Sequence, residues 1–372
     1  MMPQDSLKRP VALALGPHRG AASGVSAHVN NLLASSLSRD FALLHFQVGT
    51  EGRNEGPIAR WWRLVASPFA LAREIVTTGT TIVHINTSLN RRAFWRDLVY
   101  LVVAKLCDAR VIYQVHGGAL PFEFCAGKPV LRAALRRALA AVDVVVVLAR
   151  IELEAYRRFA PGRPIELIPN AIDFTAYRSL KRRQPRPEAP VHIVYLGRLV
   201  REKGVYELLR GFASACAAGA NARLTIAGQG PDEKRLEHAA ANLGLRADVQ
   251  FLEPAFGLQK LQLLASADLF VLASYSEGLP YALLEGMAAG AAIIATPVGA
   301  IPDVVVPGVH GLFVPTHDSH AIGRAITQLA ADRELLARMG AATRARIAAA
   351  YSLERPARKF SQLYAGLAVA AH

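Results

Sequence analysis

The sequence predicts an α/β protein with two Rossmann-like domains, each containing a parallel β-sheet. Strand-like apolar runs alternate with helix-like segments along the whole chain, which is the pattern of βαβ units. The 372 residues are enough for two domains with a core each. A polar, basic segment with three prolines, FTAYRSLKRRQPRPEAP, interrupts the alternation and predicts a linker. We therefore place the domain boundary at about residue 188.

The composition is that of a globular chain, with 52% hydrophobic and 19% charged residues. No apolar run is long and uncharged enough to span a membrane. The first apolar run, residues 11–16, lacks a cleavage-site pattern and is interpreted as a strand, not a signal peptide. The cysteines Cys107, Cys125 and Cys216 have no metal-binding spacing, which indicates free thiols in a reducing cytosol.

In the first half, strands are expected at residues 11–16, 41–49, 81–88 and 110–118. A glycine-rich turn containing Gly20, Ser23 and Gly24 follows the first strand and leads into a helix from about residue 25. The loop after the first strand is where α/β folds bind phosphates. His116 lies at the carboxyl end of the fourth strand, which is also a ligand-binding edge.

A helix is predicted at residues 58–76, and it carries Trp61 and Trp62 between two arginines. Two interpretations are open. The helix belongs to the core with one tryptophan on its packing face, or the tryptophans form an interfacial patch, because tryptophan beside arginine suits a lipid headgroup layer.

The second half begins with a strand, HIVYLG, and the turn that follows it contains Gly197, Arg198, Lys203 and Gly204. Arginine provides a rigid fork of donors and lysine a mobile point charge, and together they neutralise a diphosphate. The next strand ends in a tight loop with Gly228 and Gly230, and helix 257–265 precedes the stretch on which the site prediction depends most.

That stretch is Ser274 to Gly290, SYSEGLPYALLEGMAAG. A buried strand precedes it, and we expect Pro280 at the first helical position, where its missing N–H has no partner to lose. Glu277 then lies on the turn and Glu285 on the helix. Helix N-termini favour phosphate, and two carboxylates eight positions apart suit the hydroxyls of a nucleotide sugar. Taken alone, the two glutamates are better explained as solvated surface charges.

Three segments resemble the retaining glycosyltransferases of the GT-B fold, particularly family 4 (the group 1 family). Glu277 and Glu285 match the two glutamates of its E-x7-E motif, and Gly197 to Gly204 match G-R-x-x-x-x-K-G. The segment IPNAID resembles the P-N-G-V-D element, with Ala171 in place of glycine. The resemblance covers most of the carboxyl-terminal half.

The resemblance implies two domains facing across a cleft, with residues 1–187 binding the acceptor and residues 188–351 the nucleotide sugar. A last helix, about residues 352–372, is expected to pack back on the first domain. The implied donor-binding residues are Gly20, Ser23, Gly24, Gly197, Arg198, Lys203, Gly228, Gly278, Leu279 and Glu285. The implied catalytic residues are His116, Glu277, Arg198 and Lys203.

The implied reaction moves a hexosyl group from a nucleoside-diphosphate sugar, UDP- or GDP-linked, with retention of the anomeric configuration. Arg198, Lys203 and the amides of Gly278 and Leu279 are expected to stabilise the charge that grows on the leaving diphosphate. Glu277 is expected to hold sugar hydroxyls and Glu285 ribose hydroxyls. In the family a leaving-phosphate oxygen is thought to act as the base, so Glu277 is not assigned as a nucleophile.

Positive charge is concentrated in the first half. Residues 1–190 carry 26 basic and 14 acidic side chains, whereas the rest carry 17 and 15. No nucleic-acid-binding motif accompanies this charge, so an anionic membrane surface fits it better. We expect a cytoplasmic protein with peripheral contact to the inner face of the cytoplasmic membrane. Its acceptor is expected to be a saccharide or polyprenyl-linked saccharide of bacterial surface polysaccharide assembly.

Two alternatives stay open. A GT-B-shaped nucleotide-sugar epimerase would release an epimer without an acceptor, and a two-lobed sugar-binding protein would lack the basic diphosphate-binding pair. No cofactor is expected, and no metal either, because no two aspartates lie two positions apart and no His/Asp/Glu cluster has metal-ligand spacing.

Overall fold

The computed structural model describes residues 9–21, 23–53, 55–180 and 188–369. Its residues form two compact units, one ending at Asn170 and resuming at Leu353, the other running from Ala171 to Ser352. The sequence placed the boundary near residue 188, and part of that linker, residues 181–187, lies outside the described residues.

The described residues of the first unit form six parallel strands in the order β2-β1-β3-β4-β5-β6. The strands are β1 (Val11–Gly16), β2 (Ala42–Gln47), β3 (Thr80–Leu89), β4 (Arg110–Gly118), β5 (Val144–Val147) and β6 (Ile165–Leu167). The helices are α1 (Gly24–Ala34), α2 (Leu37–Asp40), α3 (Pro57–Thr78), α4 (Arg91–Leu106), α5 (Pro121–Phe124), α6 (Pro129–Ala141) and α7 (Arg150–Phe159).

In the second unit, the part that the structure describes forms six parallel strands in the order β12-β11-β10-β7-β8-β9. The strands are β7 (Val191–Leu196), β8 (Ala222–Ala227), β9 (Val249–Leu252), β10 (Leu269–Leu272), β11 (Ala292–Ala295) and β12 (Gly311–Phe313). The helices are α8 (Thr175–Arg178), α9 (Val205–Ala217), α10 (Glu233–Asn242), α11 (Gly257–Ala265), α12 (Tyr281–Ala288), α13 (Ile301–Val304), α14 (Ser319–Ala331) and α15 (Arg333–Ala350). A 3₁₀ turn spans Arg201–Lys203. The predicted α/β class with two parallel sheets is confirmed.

Helices cover both faces of the first sheet. Successive residues of a strand point to opposite faces, so Leu13 and Leu15 join one core while Ala12 and Ala14 join another. The second of these cores includes Phe360 and Tyr364, which lie on α16 (Glu354–Val369). The last helix of the chain is therefore part of the first unit.

Two details differ from the sequence-based predictions. Pro280 is not the first residue of α12 but its N-cap, with extended backbone at φ −72° and ψ 128°, so the helix begins at Tyr281. On α3 neither tryptophan lies in the core: Trp61 is 58% exposed and Trp62 61% exposed, whereas Leu71 and Ile75 supply the packing face. The interpretation of α3 as a core helix with one packed tryptophan is wrong.

Within the described residues, no helix is long and apolar enough to cross a membrane. Cys107, Cys125 and Cys216 are all free thiols.

Candidate active site

The site of the second unit lies where the strand order reverses. From β7 the chain proceeds to β8 and β9 on one side, and then crosses to β10 on the other side of β7. The loops that leave β7 and β10 therefore run in opposite directions and open a crevice at the carboxyl edge, which is where open α/β sheets bind ligands. Arg198 and Lys203 follow β7, and Glu277 follows β10, so the topology brings these predicted residues to one edge.

Glycine backbones allow the loops at this edge to pack against one another. Gly228 follows β8, and a Cβ there would lie 1.8 Å from the carbonyl oxygen of Gly197. Gly204 has φ +66°, and its Cβ would lie 2.0 Å from the carbonyl oxygen of Ala273, just beyond β10. No side chain fits at either distance. The motif glycines thus set the spacing of the loops that carry the charged residues.

The two residues of the basic pair, Arg198 and Lys203, are held by different contacts. The Tyr195 hydroxyl donates to the backbone carbonyl of Arg198 at 2.8 Å, which fixes the turn, while the Arg198 side chain is exposed. Lys203 Nζ lies 2.5 Å from Glu277 Oε1, and the Glu277 side chain is only 9% exposed. Burial, and then the charge of Glu277, raises the pKa of Tyr195 above its ordinary range, so this hydroxyl remains a neutral donor.

The turn of Glu277 is braced from the adjacent strand. Gly299 follows β11 with φ +57°, and its Cβ would meet the Glu277 carbonyl oxygen at 2.1 Å. Beside it, Ala300 N–H donates to the Gly278 carbonyl at 2.8 Å. Leu279 is buried. These contacts fix the backbone from which the Glu277 carboxylate projects.

Glu285 lies on α12 and pairs with a residue that the sequence did not single out. Lys260 Nζ, on α11, is 2.6 Å from Glu285 Oε1. Burial raises the pKa of Glu285, and the Lys260 ammonium opposes that shift. α12 lies close to β10 because residue 286 is glycine: a Cβ there would be 2.8 Å from the Phe270 ring.

In the first unit the strand order reverses between β1 and β3, and the predicted glycine-rich turn follows β1. Ser23 is the N-cap of α1, where its Oγ accepts from Ser26 N–H at 3.2 Å. Gly20 N–H donates to His18 Nδ1 at 3.1 Å, and Gly24 is the first residue of α1. Ser23 therefore stabilises the start of α1 independently of any ligand.

His116 lies near the carboxyl end of β4 and contacts the neighbouring strand β3. Its Nε2 is 2.8 Å from Asn86 Oδ1, and Asn86 Nδ2 donates to the Leu15 carbonyl at 3.0 Å. Because the amide nitrogen of Asn86 faces a carbonyl, its Oδ1 must accept, so His116 Nε2 carries the proton. Burial, and then the neighbouring His28 and His84, holds the pKa of His116 well below its usual value. The imidazole is neutral at pH 7.

The sequence missed the polar groups around His116. The His28 ring centroid lies 4.6 Å from that of His116, and His84 bridges Gln114 Oε1 at 2.9 Å and the Tyr364 hydroxyl at 2.7 Å. These four neighbours of His116, namely His28, His84, Gln114 and Tyr364, are buried. Both faces of these strands are covered, so strand patterning does not distinguish positions 84 and 114 from their neighbours, and it gives no signal for their hydrogen bonds, whose partners come from other elements.

The predicted residues fall into two sets. Gly20, Ser23, Gly24 and His116 belong to the first unit; the second unit holds Gly197, Arg198, Lys203, Gly228, Glu277, Gly278, Leu279 and Glu285. Over the part of the chain that the structure describes, no three His, Cys, Asp or Glu side chains are arranged to hold a metal ion. Metal independence remains a prediction.

Two family models match adjoining parts of the chain. Residues 24–176 match the model described as Glycosyltransferase Family 4, and residues 177–346 match Glycosyl transferases group 1. A GDP-mannose-dependent alpha-(1-6)-phosphatidylinositol monomannoside mannosyltransferase of Mycolicibacterium smegmatis is 30% identical over 252 residues, which are 63% of this chain and 64% of that protein. The matched region therefore spans a little under two thirds of that relative.

Solved structures agree on the fold. The sucrose-phosphate synthase of Thermosynechococcus elongatus superposes with a TM-score of 0.79 at 21% identity, over 97% of this chain and all of that one. Anabaena Alr3699/HepE in complex with UDP-glucose gives a TM-score of 0.74 at 15% identity, over 96% of this chain and 99% of that one. These likenesses confirm the two-domain, Rossmann-like GT-B fold.

Proposed function

Since the chain belongs to the group 1 and family 4-like glycosyltransferases, and is therefore an enzyme of the transferase class, we propose that it moves a hexosyl group from a nucleoside-diphosphate sugar with retention of configuration. The acceptor we propose is a saccharide or a lipid-linked saccharide of bacterial surface polysaccharide assembly. The relative is a mannosyltransferase and both family models describe glycosyltransferases, which favours transfer over the epimerase alternative.

The observation that carries the proposal is the charged set at the switch point of the second sheet. Arg198 and Lys203 supply two cations at the edge where Glu277 supplies a carboxylate. In the proposed reaction the cations meet the charge that grows on the leaving diphosphate, and Glu277 accepts from sugar hydroxyls. Because Lys203 is already paired with Glu277, it both orients that carboxylate and neutralises charge on the phosphate in the proposed reaction.

His116 acts in this proposal as a neutral group that contacts the transferred sugar or the acceptor. Its Nε2–H is committed to Asn86, and the low pKa prevents it from carrying a charge at pH 7. A cation at this position would oppose an oxocarbenium-like transition state, so the depressed pKa favours the reaction.

UDP and GDP are both candidate donor carriers. The mannosyltransferase relative is named for GDP-mannose, and the Anabaena protein was solved with UDP-glucose. The diphosphate is common to both, and the basic pair recognises that shared part. We further propose that no metal takes part, because Arg198 and Lys203 are sufficient in kind to neutralise a diphosphate.

Peripheral contact with an anionic membrane is also part of the proposal. α3 exposes a set of large apolar side chains along its length, namely Ile58, Trp61, Trp62, Leu64, Val65, Phe69 and Val76. Arg60 and Arg73 on the same helix are exposed as well. Exposed tryptophan beside arginine is typical of helices that lie at a lipid headgroup layer, and a saccharide acceptor on a lipid would be presented there.

The function is tested with a panel of UDP- and GDP-linked hexoses and thermal unfolding. A bound donor raises the unfolding temperature by mass action, so the carrier and sugar that stabilise most identify the donor. That donor is then used for turnover after dialysis against EDTA, and the product anomer is read from NMR coupling constants. We expect undiminished turnover and retention. Activity that needs added magnesium or manganese would refute metal independence, and an inverted product would refute the retaining mechanism.

A further inference from the structure

Lys260 is the basic partner of Glu285. The two residues lie on consecutive helices, α11 before β10 and α12 after it, and their Nζ and Oε1 atoms are 2.6 Å apart. The Lys260 side chain is 25% exposed and that of Glu285 is 13% exposed. A pair this close and this sheltered from water is screened little by salt.

The environment of Glu285 makes the pairing consequential. A buried carboxyl group favours its neutral form, and burial does raise the pKa of Glu285. Lys260 counteracts that tendency by favouring the carboxylate. Tyr177 of α8 also interacts with Glu285: burial, and then the charge of Glu285, raises the pKa of Tyr177, so this hydroxyl remains neutral. The ionisation of Glu285 therefore depends on Lys260.

We propose that Lys260 is a positioning residue for the nucleotide: it keeps Glu285 ionised and oriented so that the carboxylate accepts hydrogen bonds from the ribose hydroxyls. Lys260 occupies Oε1, and Oε2 is the oxygen offered to the ligand. This inference rests on the proposed function, which gives Glu285 its ribose-binding role. An ionised acceptor binds hydroxyls more strongly than a neutral carboxyl does, so Lys260 contributes to selection of ribose over 2′-deoxyribose.

The test compares Lys260→Met with the wild type by calorimetry, using UDP, GDP and the 2′-deoxy form of each at pH 6 and pH 8. For the wild type we expect the ribonucleotide to bind about tenfold more tightly than its deoxy form, the size of one charge-assisted hydrogen bond, at both pH values. For Lys260→Met we expect that preference to disappear at pH 6 and to return in part at pH 8, because the unassisted carboxyl ionises only at higher pH.

Two further variants distinguish positioning from structural damage. Gln262→Met changes an exposed residue of the same helix and should retain the wild-type preference. Lys260→Arg retains the positive charge and should restore the preference at pH 6. If Lys260→Met unfolds, Lys260→Gln is measured in its place, with the same expectation.

The outcomes separate the two levels of the proposal. If the wild type binds none of the four nucleotides, the proposed function fails and this inference fails with it. If the wild type prefers the ribonucleotide and Lys260→Met does so equally at pH 6, only the inference is overturned. It is also overturned if the variant loses the preference by the same factor at both pH values, since that pattern reports lost packing and not lost ionisation.

Discussion

At the scale of single residues, the candidate site of the second unit depends on two lysine–glutamate pairs. Lys203 pairs with Glu277 on the loop after β10, and Lys260 pairs with Glu285 on the helix that follows. Both carboxylates are sheltered from water, the Glu277 side chain being 9% exposed and that of Glu285 13%, so a nearby cation is needed to offset the loss of hydration. The two glutamates of the motif thus depend on charges that lie elsewhere in the sequence.

Removing the basic pair should slow turnover more than it weakens donor binding. In the Arg198→Ala, Lys203→Ala double variant, we expect the turnover number to fall about a hundredfold or more, because the charge that these groups meet grows in the transition state. Donor affinity should fall much less. Steady-state kinetics and calorimetry measure the two effects. Arg210→Ala, which changes an exposed arginine of α9, is the control, and normal turnover in the double variant would contradict the assignment.

Two glycines have nearly equal φ angles, so alanine substitutions at the two positions distinguish the cost of backbone strain from that of a steric clash. Gly79 has φ +64° and open space around the position of a Cβ, whereas Gly204 has φ +66° and a carbonyl oxygen 2.0 Å from that position. Gly79→Ala should cost about 1–2 kcal/mol of folding free energy, the cost of a left-handed alanine. Gly204→Ala should cost clearly more, at least about 3 kcal/mol, because loop and strand must move apart. Denaturant unfolding checks this, and equal losses would show that the loop yields to the added Cβ.

The residues of the site were only partly predictable from the sequence. The sequence singled out Lys203 and Glu277 because their motif spacing is distinctive and both follow strands, and in the structure the two side chains form an ion pair. Lys260 was not predicted, because it lies 25 residues from Glu285 and their contact depends on the packing of two helices that β10 separates in the sequence. Asn86 was missed for a similar reason: its contact with His116 follows from the pairing of β3 with β4, which the sequence does not record.

At the scale of elements, the strands were the most predictable part of the fold. Runs such as Val144–Val147 are wholly apolar and wholly buried, so composition alone identifies them. α3 shows the limit. Its apolar residues predict a helix, but composition does not tell which of them face the sheet and which face outward. In the structure its carboxyl-terminal half supplies Leu71 and Ile75 to the core, while the tryptophans point away.

The exposed tryptophans of α3 should contribute to membrane binding. Wild-type protein is expected to co-sediment with vesicles that contain anionic lipid, and binding should weaken as salt rises because exposed charges are screened. Trp61→Ala with Trp62→Ala should weaken the binding that persists at high salt, since that part reflects apolar insertion. Phe256→Ala removes an aromatic side chain of the second unit that is 57% exposed and should have no effect. Absent or salt-independent binding by the wild type would contradict the electrostatic contribution.

At the scale of the whole molecule, the buried histidines of the first unit make stability depend on pH. Burial lowers the pKa of His28 to about 4 and that of His84 to about 3. In the unfolded chain both titrate near their ordinary value, so below about pH 6.5 the unfolded state binds more protons than the folded state. The stability they contribute is therefore complete above that pH and is lost as pH falls toward the folded pKa values.

We expect the unfolding temperature of the first unit to fall as pH decreases from 7 to 5. Each of these histidines contributes a slope of up to about 1.4 kcal/mol per pH unit. His84→Gln should lower stability at pH 7, where two hydrogen bonds are at stake, but it should make the pH dependence shallower. His320→Gln changes an exposed histidine and should leave the slope as it is. Calorimetric scans across this pH range make the comparison. Identical slopes in His84→Gln and the wild type would show that His84 does not cause the pH dependence of stability.

The return of α16 to the first unit has a consequence for how the polypeptide emerges from the ribosome. The core formed by β1, β3 and their neighbours lacks Phe360 and Tyr364 until those residues have been translated. At ordinary elongation rates, the nascent chain waits about 10–40 s between residue 170 and residue 353. During that interval the earlier-made unit still exposes the apolar surface that α16 later covers, while the second unit is being synthesised up to α15 (Arg333–Ala350). The unit that is begun first is thus completed only after the whole second unit has been translated, and a chaperone that binds apolar surface would find its substrate in the amino-terminal half.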